Sequence, residues 1–212
     1  QFRGRVHHVE HHLAHLASAF HVSPFEEAVT VSVDGFGDFA SAGWGLGRGK
    51  DLKLDGRIWF PHSLGVFYQA LTQYLGFPHY GDEYKVMGLA PYGEPRYVDQ
   101  MKEIVRLNTD GRFELDLRFF RHASGEGANY QVKDGIPSGG RLWSDALAEL
   151  LGPPRDPKAL FFTVDTGYPS YFGDKPGNYD QLGKENQHYA DIAASIAFAA
   201  VTEHLKQCAV QT

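Results

Sequence analysis

Five of the eleven histidines fall within the first fifteen residues: His7, His8, His11, His12 and His15. Val9, Glu10, Leu13 and Ala14 are interleaved with them, which is unlike an affinity tag. From His8 to Phe20, apolar Val9, Leu13, Leu16, Ala17 and Phe20 recur at helical spacing, so an amphipathic helix is expected. That helix arranges the histidines. Side chains four residues apart share a face, which sets His11 beside His15 and His8 beside His12. Two imidazoles so placed can share one metal ion. A polar face of solvated histidines is the plain alternative, and the segment by itself leaves both open. His7, Glu10 and His11 also fit H-x-x-E-H, the inverted zinc-protease pattern. A zinc-dependent hydrolase built on them would need a third protein ligand, and no later segment singles one out.

Ala28 to Val33 alternates Val29, Val31 and Val33 with Thr30 and Ser32, as a strand does. It is expected to end at Asp34-Gly35-Phe36-Gly37-Asp38. An aspartate at a strand end followed by glycines can bring a carboxylate and backbone N–H groups to a cation or phosphate. The same residues suit a tight hairpin turn, which the local sequence favours. Ser41 to Leu46 and Leu52 to Phe60 read as further strands, joined through Gly47-Arg48-Gly49-Lys50. Leu64, Phe67, Tyr68, Leu71, Tyr74 and Leu75 then define an amphipathic helix, capped near Ser63 and stopped at Gly76. In Gly81 to Pro91, Asp82 and Glu83 suit a helix start. The acids can equally hold ribose hydroxyls, and Lys85 a phosphate.

The 212 residues carry a net charge of −6, which argues against a nucleic-acid partner. The longest largely apolar run, Ile192 to Val201, is too short to cross a bilayer. A single cysteine, Cys208, excludes a disulfide framework and suits a reducing, cytoplasmic setting.

Several blocks in order resemble one family. They are His11-His12-Leu13-Ala14-His15 with Ala17-Ser18-Ala19-Phe20, and Val31-Ser32-Val33-Asp34-Gly35 with Gly37-Asp38. Pro61-His62-Ser63-Leu64-Gly65 with Tyr68 and the run Gly81 to Gly93 follow, and His188-x-x-Asp191-Ile-Ala-Ala returns later. Together they are similar to the nodulation and antibiotic-biosynthesis O-carbamoyltransferases.

The resemblance implies an α/β chain with the actin-like ATPase (ribonuclease H-like) fold, a mixed sheet with flanking helices, related to the tRNA threonylcarbamoyl-transfer proteins. It implies a carbamoyl adenylate, made from carbamoyl phosphate and ATP with Mg, whose carbamoyl group passes to a hydroxyl of a sugar or other small acceptor. It implies Fe(II), or another divalent metal, held by His11, His15 and Asp34. Gly35, Gly37, Asp82, Glu83 and Lys85 become nucleotide-side candidates. The attacking hydroxyl needs a base. His12 and His62 are conceivable, and the catalytic residue stays open. The family's first strand, its glycine-rich second-lobe segment and its YrdC-like domain have no counterpart here. The chain is therefore expected to be an internal fragment, one partial domain over residues 1–212, inactive by itself. A non-catalytic nucleotide-binding module on the same scaffold is the remaining alternative.

Elsewhere, helices are expected over Pro95 to Arg106 and Leu142 to Leu151, with a strand at Phe113 to Leu117 after the Asn108–Gly111 turn. Arg155 reads as a solvated loop charge rather than an anion ligand. Residues 158–188 form an aromatic-rich irregular insertion, read as a loop docked by its own rings or as a platform for an acceptor sugar. A long helix is expected over about 189–211, with Ile192, Ile196, Ala199, Ala200 and Leu205 on its buried stripe. If exposed, that stripe would favour a homo-oligomer.

Overall fold

The computed structural model describes residues 3–124, 131–133, 136–138 and 140–199. They form two compact units that part between Gly65 and Val66.

The first unit is one helix on a three-stranded sheet. Helix α1 (His11–Phe20) is followed by β1 (Glu27–Gly37), β2 (Ala40–Arg48) and β3 (Asp51–Trp59), in the order β1-β2-β3. Every described pairing in the chain is antiparallel, in place of the expected mixed sheet. The connections here are two-residue hairpins, which join only antiparallel neighbours. At the first, Asp38 and Phe39 both adopt positive φ (49° and 62°), as a type I′ turn requires. The expected turn therefore lies at Asp38-Phe39, one step beyond the predicted strand end.

Helix α1 begins at His11 rather than His8. Glu10 caps it by accepting the Leu13 N–H at 2.6 Å. Val9 is consequently exposed, and the helix buries His12, Leu16 and Phe20. Glycines of β2 let it approach closely. A Cβ at Gly47 would meet the Phe20 ring at 2.6 Å, and one at Gly43 would meet His12 Cβ at 3.0 Å. Burying Leu16 and Phe20 contributes about 1.5–3 kcal/mol each. The strand alternation is present, and its polar residues take the inner face. Thr30 and Ser32 are buried, whereas Val29 and Val33 are 44% and 48% exposed.

The second unit carries α2 (Leu64–Tyr74, which starts at the boundary), α3 (Glu83–Leu89) and α4 (Val98–Ile104). After them come β4 (Val105–Leu107) paired with β5 (Phe113–Leu115), the hairpin β6 (Gln131–Lys133) and β7 (Ile136–Ser138), then α5 (Asp145–Leu151) and α6 (Tyr179–Ala197). The expected helix to Arg106 stops at Ile104 because β-branched Val105 enters the β4 ladder. The first part of the predicted Leu142–Leu151 helix is extended. Leu142 N–H donates to Gln73 Oε1, and Trp143 bridges Phe120. Helix α6 begins at Tyr179, ten residues before the predicted Tyr189, so the irregular segment is shorter than expected. Ala200, Leu205 and Cys208 lie outside the described residues. No described helix is long and apolar enough to cross a membrane.

The α2 residues Phe67, Leu71 and Tyr74 are fully buried, as are Met101, Ile104, Ile192 and Ile196. Tyr74 donates to Gly152 O at 2.5 Å, and burial pushes its phenol well above its ordinary pKa. Gly93 presses against α6, where a Cβ would stand 2.0 Å from Ala190 O.

Arg155 corrects its prediction: it is 5% exposed. Its guanidinium donates to Ala159 O at 2.5 Å and lies 5.6 Å from the rings of both Phe77 and Phe161. The loop folds back on α2 because Arg155 N–H donates to Tyr74 O. Arg155→Ala is expected to destabilise the chain by about 2–4 kcal/mol, through a vacated apolar slot and unmatched carbonyls. The denaturation midpoint measures it, and an unchanged midpoint would show that the guanidinium contributes nothing.

Candidate metal centre

Within the first unit, three side chains converge from two elements. The helical spacing of α1 brings His11 Nε2 to 3.0 Å from His15 Nε2. Asp34 Oδ2, from β1, lies 2.7 Å from His11 Nε2 and 3.4 Å from His15 Nε2. Three electron-rich atoms this close need a proton or a cation among them. With metal–ligand bonds of about 2.1 Å, neighbouring ligand atoms at right angles stand about 3.0 Å apart, so the observed spacing suits one ion. Among the described residues this is the one group of three or more histidine, cysteine or acidic side chains with metal-holding geometry. All three are about one-third to one-half exposed, leaving room for further ligands.

Asp34 is not at a strand end. It sits where the β1–β2 register shifts between Val33 and Gly37, a bulge that re-aims its side chain. Ser63 holds this irregular backbone by donating to Asp34 O at 3.1 Å and Gly35 O at 2.8 Å. Gly35 N–H donates to Asp34 Oδ1 at 2.6 Å. Partial burial alone would raise the Asp34 carboxyl. The His11 and Gly35 hydrogen bonds and the nearby histidine charges outweigh it and hold the carboxyl below its ordinary value.

His12 faces the other way. It is completely buried, with Nδ1 2.6 Å from Ser32 Oγ and its ring edge-on to His11. Its contacts anchor α1 to the sheet, so the structure gives it a positioning place rather than a solvent-facing one. The expected His8/His12 pair does not form, because His8 precedes the helix. The H-x-x-E-H reading fails for the same reason. His7 and Glu10 lie before the first helical turn, and Glu10 is committed to capping and to Arg57 at 3.2 Å. Partial burial would raise the Glu10 carboxyl, but these partners hold it low.

Gly37 has a place that sequence reasoning missed. A Cβ there would stand 2.0 Å from the His11 ring, so the glycine makes room for the imidazole. Asp38 accepts the His11 N–H at 3.0 Å and fixes the start of the same helix. The signal that could have located Ser32 and Ser63 is their small polar side chains amid apolar neighbours.

Residues 1–136 match the family described as Carbamoyltransferase N-terminus. The chain belongs to the carbamoyltransferase N-terminal family. An uncharacterized protein of Synechocystis is 48% identical over 147 residues, covering 69% of this chain and 22% of that protein. Nodulation protein NolNO of Sinorhizobium fredii is 40% identical over 114 residues, covering 53% and 17% respectively. Nodulation protein NolO of Bradyrhizobium diazoefficiens is 40% identical over 112 residues, covering 51% and 20%. The chain thus spans about a fifth of the length of these relatives.

The remaining candidates of this carbamoyltransferase-family chain, Asp82, Glu83 and Lys85, belong to the second unit. Asp82 is 7% exposed, accepts the His79 N–H at 3.2 Å and pairs with Lys85 Nζ at 2.6 Å. That hydrogen bond outweighs desolvation and raises the Lys85 ammonium above its ordinary value. Glu83 opens α3, where its charge complements the helix N-terminus.

Proposed function

We propose that this chain is the metal-binding part of an O-carbamoyltransferase with the actin-like ATPase fold, working in the cytoplasm. The reaction would pass a carbamoyl group from carbamoyl adenylate, formed from carbamoyl phosphate and ATP with Mg, to a hydroxyl of a small-molecule or sugar acceptor. The observation that carries this reading is the convergence of His11, His15 and Asp34 in a member of the carbamoyltransferase N-terminal family.

Two imidazoles and one carboxylate leave open positions and suit Fe(II) or another divalent ion. Such an ion would neutralise phosphate charge and orient the adenylate. The protein's own contribution is to hold the three ligand atoms in place. α1 sets the histidine spacing, the Ser63-braced bulge aims Asp34, and buried His12 fixes the helix on the sheet. Gly35 and Gly37 flank this cluster, where their backbone can approach a nucleotide. Asp82, Glu83 and Lys85 are assigned to the nucleotide side.

The test is carbamoylation of a hydroxyl acceptor by the full-length protein, dependent on carbamoyl phosphate and ATP. His11→Ala and Asp34→Ala are expected to lower turnover at least about 100-fold. The chain alone is expected to give none. Wild-type-like turnover in both variants would remove the metal centre from the mechanism. ATP binding by the full-length protein without any transfer would favour a nucleotide-binding module.

A further inference from the structure

Helix α3 is apolar on two sides. Its inner residues Val86 and Leu89 are buried, and the helix packs against α6. Its outer side carries Tyr84 and Met87, each 66% exposed. Tyr80, just before the helix, and Tyr92, just after it, are 62% and 51% exposed. A helix that is apolar all round is normally covered all round. Lys85 does not cover the outer side. Its ammonium stands 5.9 Å from the Tyr84 centroid, the outer limit of a cation–π contact, and pairs with Asp82. Gly88 lies one turn after Tyr84 on the same side. A Cβ there would meet nothing within 4 Å, so no packing inside the chain calls for a glycine. Glycine is a poor residue for a helix interior, and its use there suits close approach by another group. The outer side thus holds a hole at Gly88 directly beside a projecting, adaptable side chain, Met87.

A knob next to a hole on one surface favours a second copy of the same surface. Across a two-fold axis, a contact of residue i with j is repeated as j with i. Two antiparallel α3 helices crossing between Met87 and Gly88 seat each Met87 over the Gly88 of the other copy, so both holes fill at once. The same crossing sets Tyr84 of each copy beside Pro91 and Tyr92 of the other. Tyrosine and methionine are the residue types enriched at such contacts. The area agrees. The three tyrosines and Met87 expose roughly 500 Å², so a pair buries about 1,000 Å² in all, the threshold for specific association and the range of weak dimers. We infer that α3 pairs with α3 of a second copy of this chain, through reciprocal seating of Met87 against Gly88. The inference rests on neither the metal centre nor the transferase reading.

Sedimentation equilibrium of the chain, from about 1 µM to about 0.5 mM, tests this. A reversible monomer–dimer equilibrium is expected, with a Kd of about 10–100 µM, as the small area implies. Met87→Glu should weaken it at least about tenfold, because each copy would then bury an unpaired charge. Gly88→Leu should also weaken it at least about tenfold, by filling the hole. The same change should leave the thermal midpoint of the dilute monomer unchanged or raised, since leucine is the better helix former and the space is open. Lost pairing without lost stability separates a damaged interface from a damaged fold. His11→Ala should leave the dimer intact. Three outcomes would overturn the inference. One is a chain still monomeric at about 0.5 mM, which would leave the face to a different partner. Another is a dimer indifferent to both substitutions, which would place the contact elsewhere, as on the apolar stripe of α6. The third is open-ended assembly in place of a closed dimer.

Discussion

Replacing His11, His15 or Asp34 singly with alanine is expected to abolish saturable Fe(II) binding, measured anaerobically at one ion per chain, with a loss of at least about 100-fold in affinity. The size follows from the ligand count. Three protein atoms lie within 4.8 Å of one another, and removing one leaves two, with nothing else described close enough to substitute. Zinc preference with dependence on His7 would contradict this arrangement, since His7 lies outside the helix that sets the spacing. Asp34 also carries a pH signature. A carboxyl held below its ordinary value in the folded chain contributes stability that is fully present above the unfolded carboxylate range. That stability is lost as pH falls through the lowered folded value. Asp34→Asn should therefore flatten the acid side of the metal-free stability profile. An unchanged acid limb would show that the His11 and Gly35 bonds do not hold in solution. Protons compete with the metal for the same atoms, so Fe(II) affinity should fall in the same direction.

Legibility in the sequence followed how local each feature is. The His11/His15 juxtaposition depends only on helical repeat, and it could be read directly. The paired hairpins of the first unit were equally local, because Gly and Asp mark turns by their own conformational preferences. Which polar residues are buried was not legible. Leu16 and Phe20 were placed on the apolar side correctly, but the spacing did not show that His12 is buried. Its partner Ser32 sits on the strand face opposite the valines. A hydrogen-bonded pair of polar residues can occupy a core position, and no periodicity announces it. Arg155 failed for the same reason in reverse: a charged loop residue is buried because rings and carbonyls from distant segments surround it. Helix ends were displaced where a tertiary partner captured the chain, as β5 does at Val105. Ordered motifs identified the family, since each block names side chains rather than packing.

Gly37→Ala is expected to lower metal affinity about 100-fold without altering any ligand. The added Cβ would stand 2.0 Å from His11 Cδ2, 2.2 Å from Cγ and 2.3 Å from Nε2. Overlap with Cγ cannot be relieved by turning the ring about its own axis, so the whole imidazole must leave its position. The 2.7 Å approach to Asp34 and the 3.0 Å approach to His15 go with it. The backbone gives little relief. Gly37 pairs with Ala40 across a two-residue turn, and Asp38 in that turn holds the His11 N–H. Gly35→Ala is the matched control, because a Cβ there meets nothing within 4 Å. Equal loss in both variants would mean that glycine is needed for backbone approach to a ligand, as expected of a nucleotide-side pair. Loss at Gly37 alone would mean that this glycine acts through His11. Gly37 would then be explained by the ring it admits, and Gly35 would not bear on the metal ligands.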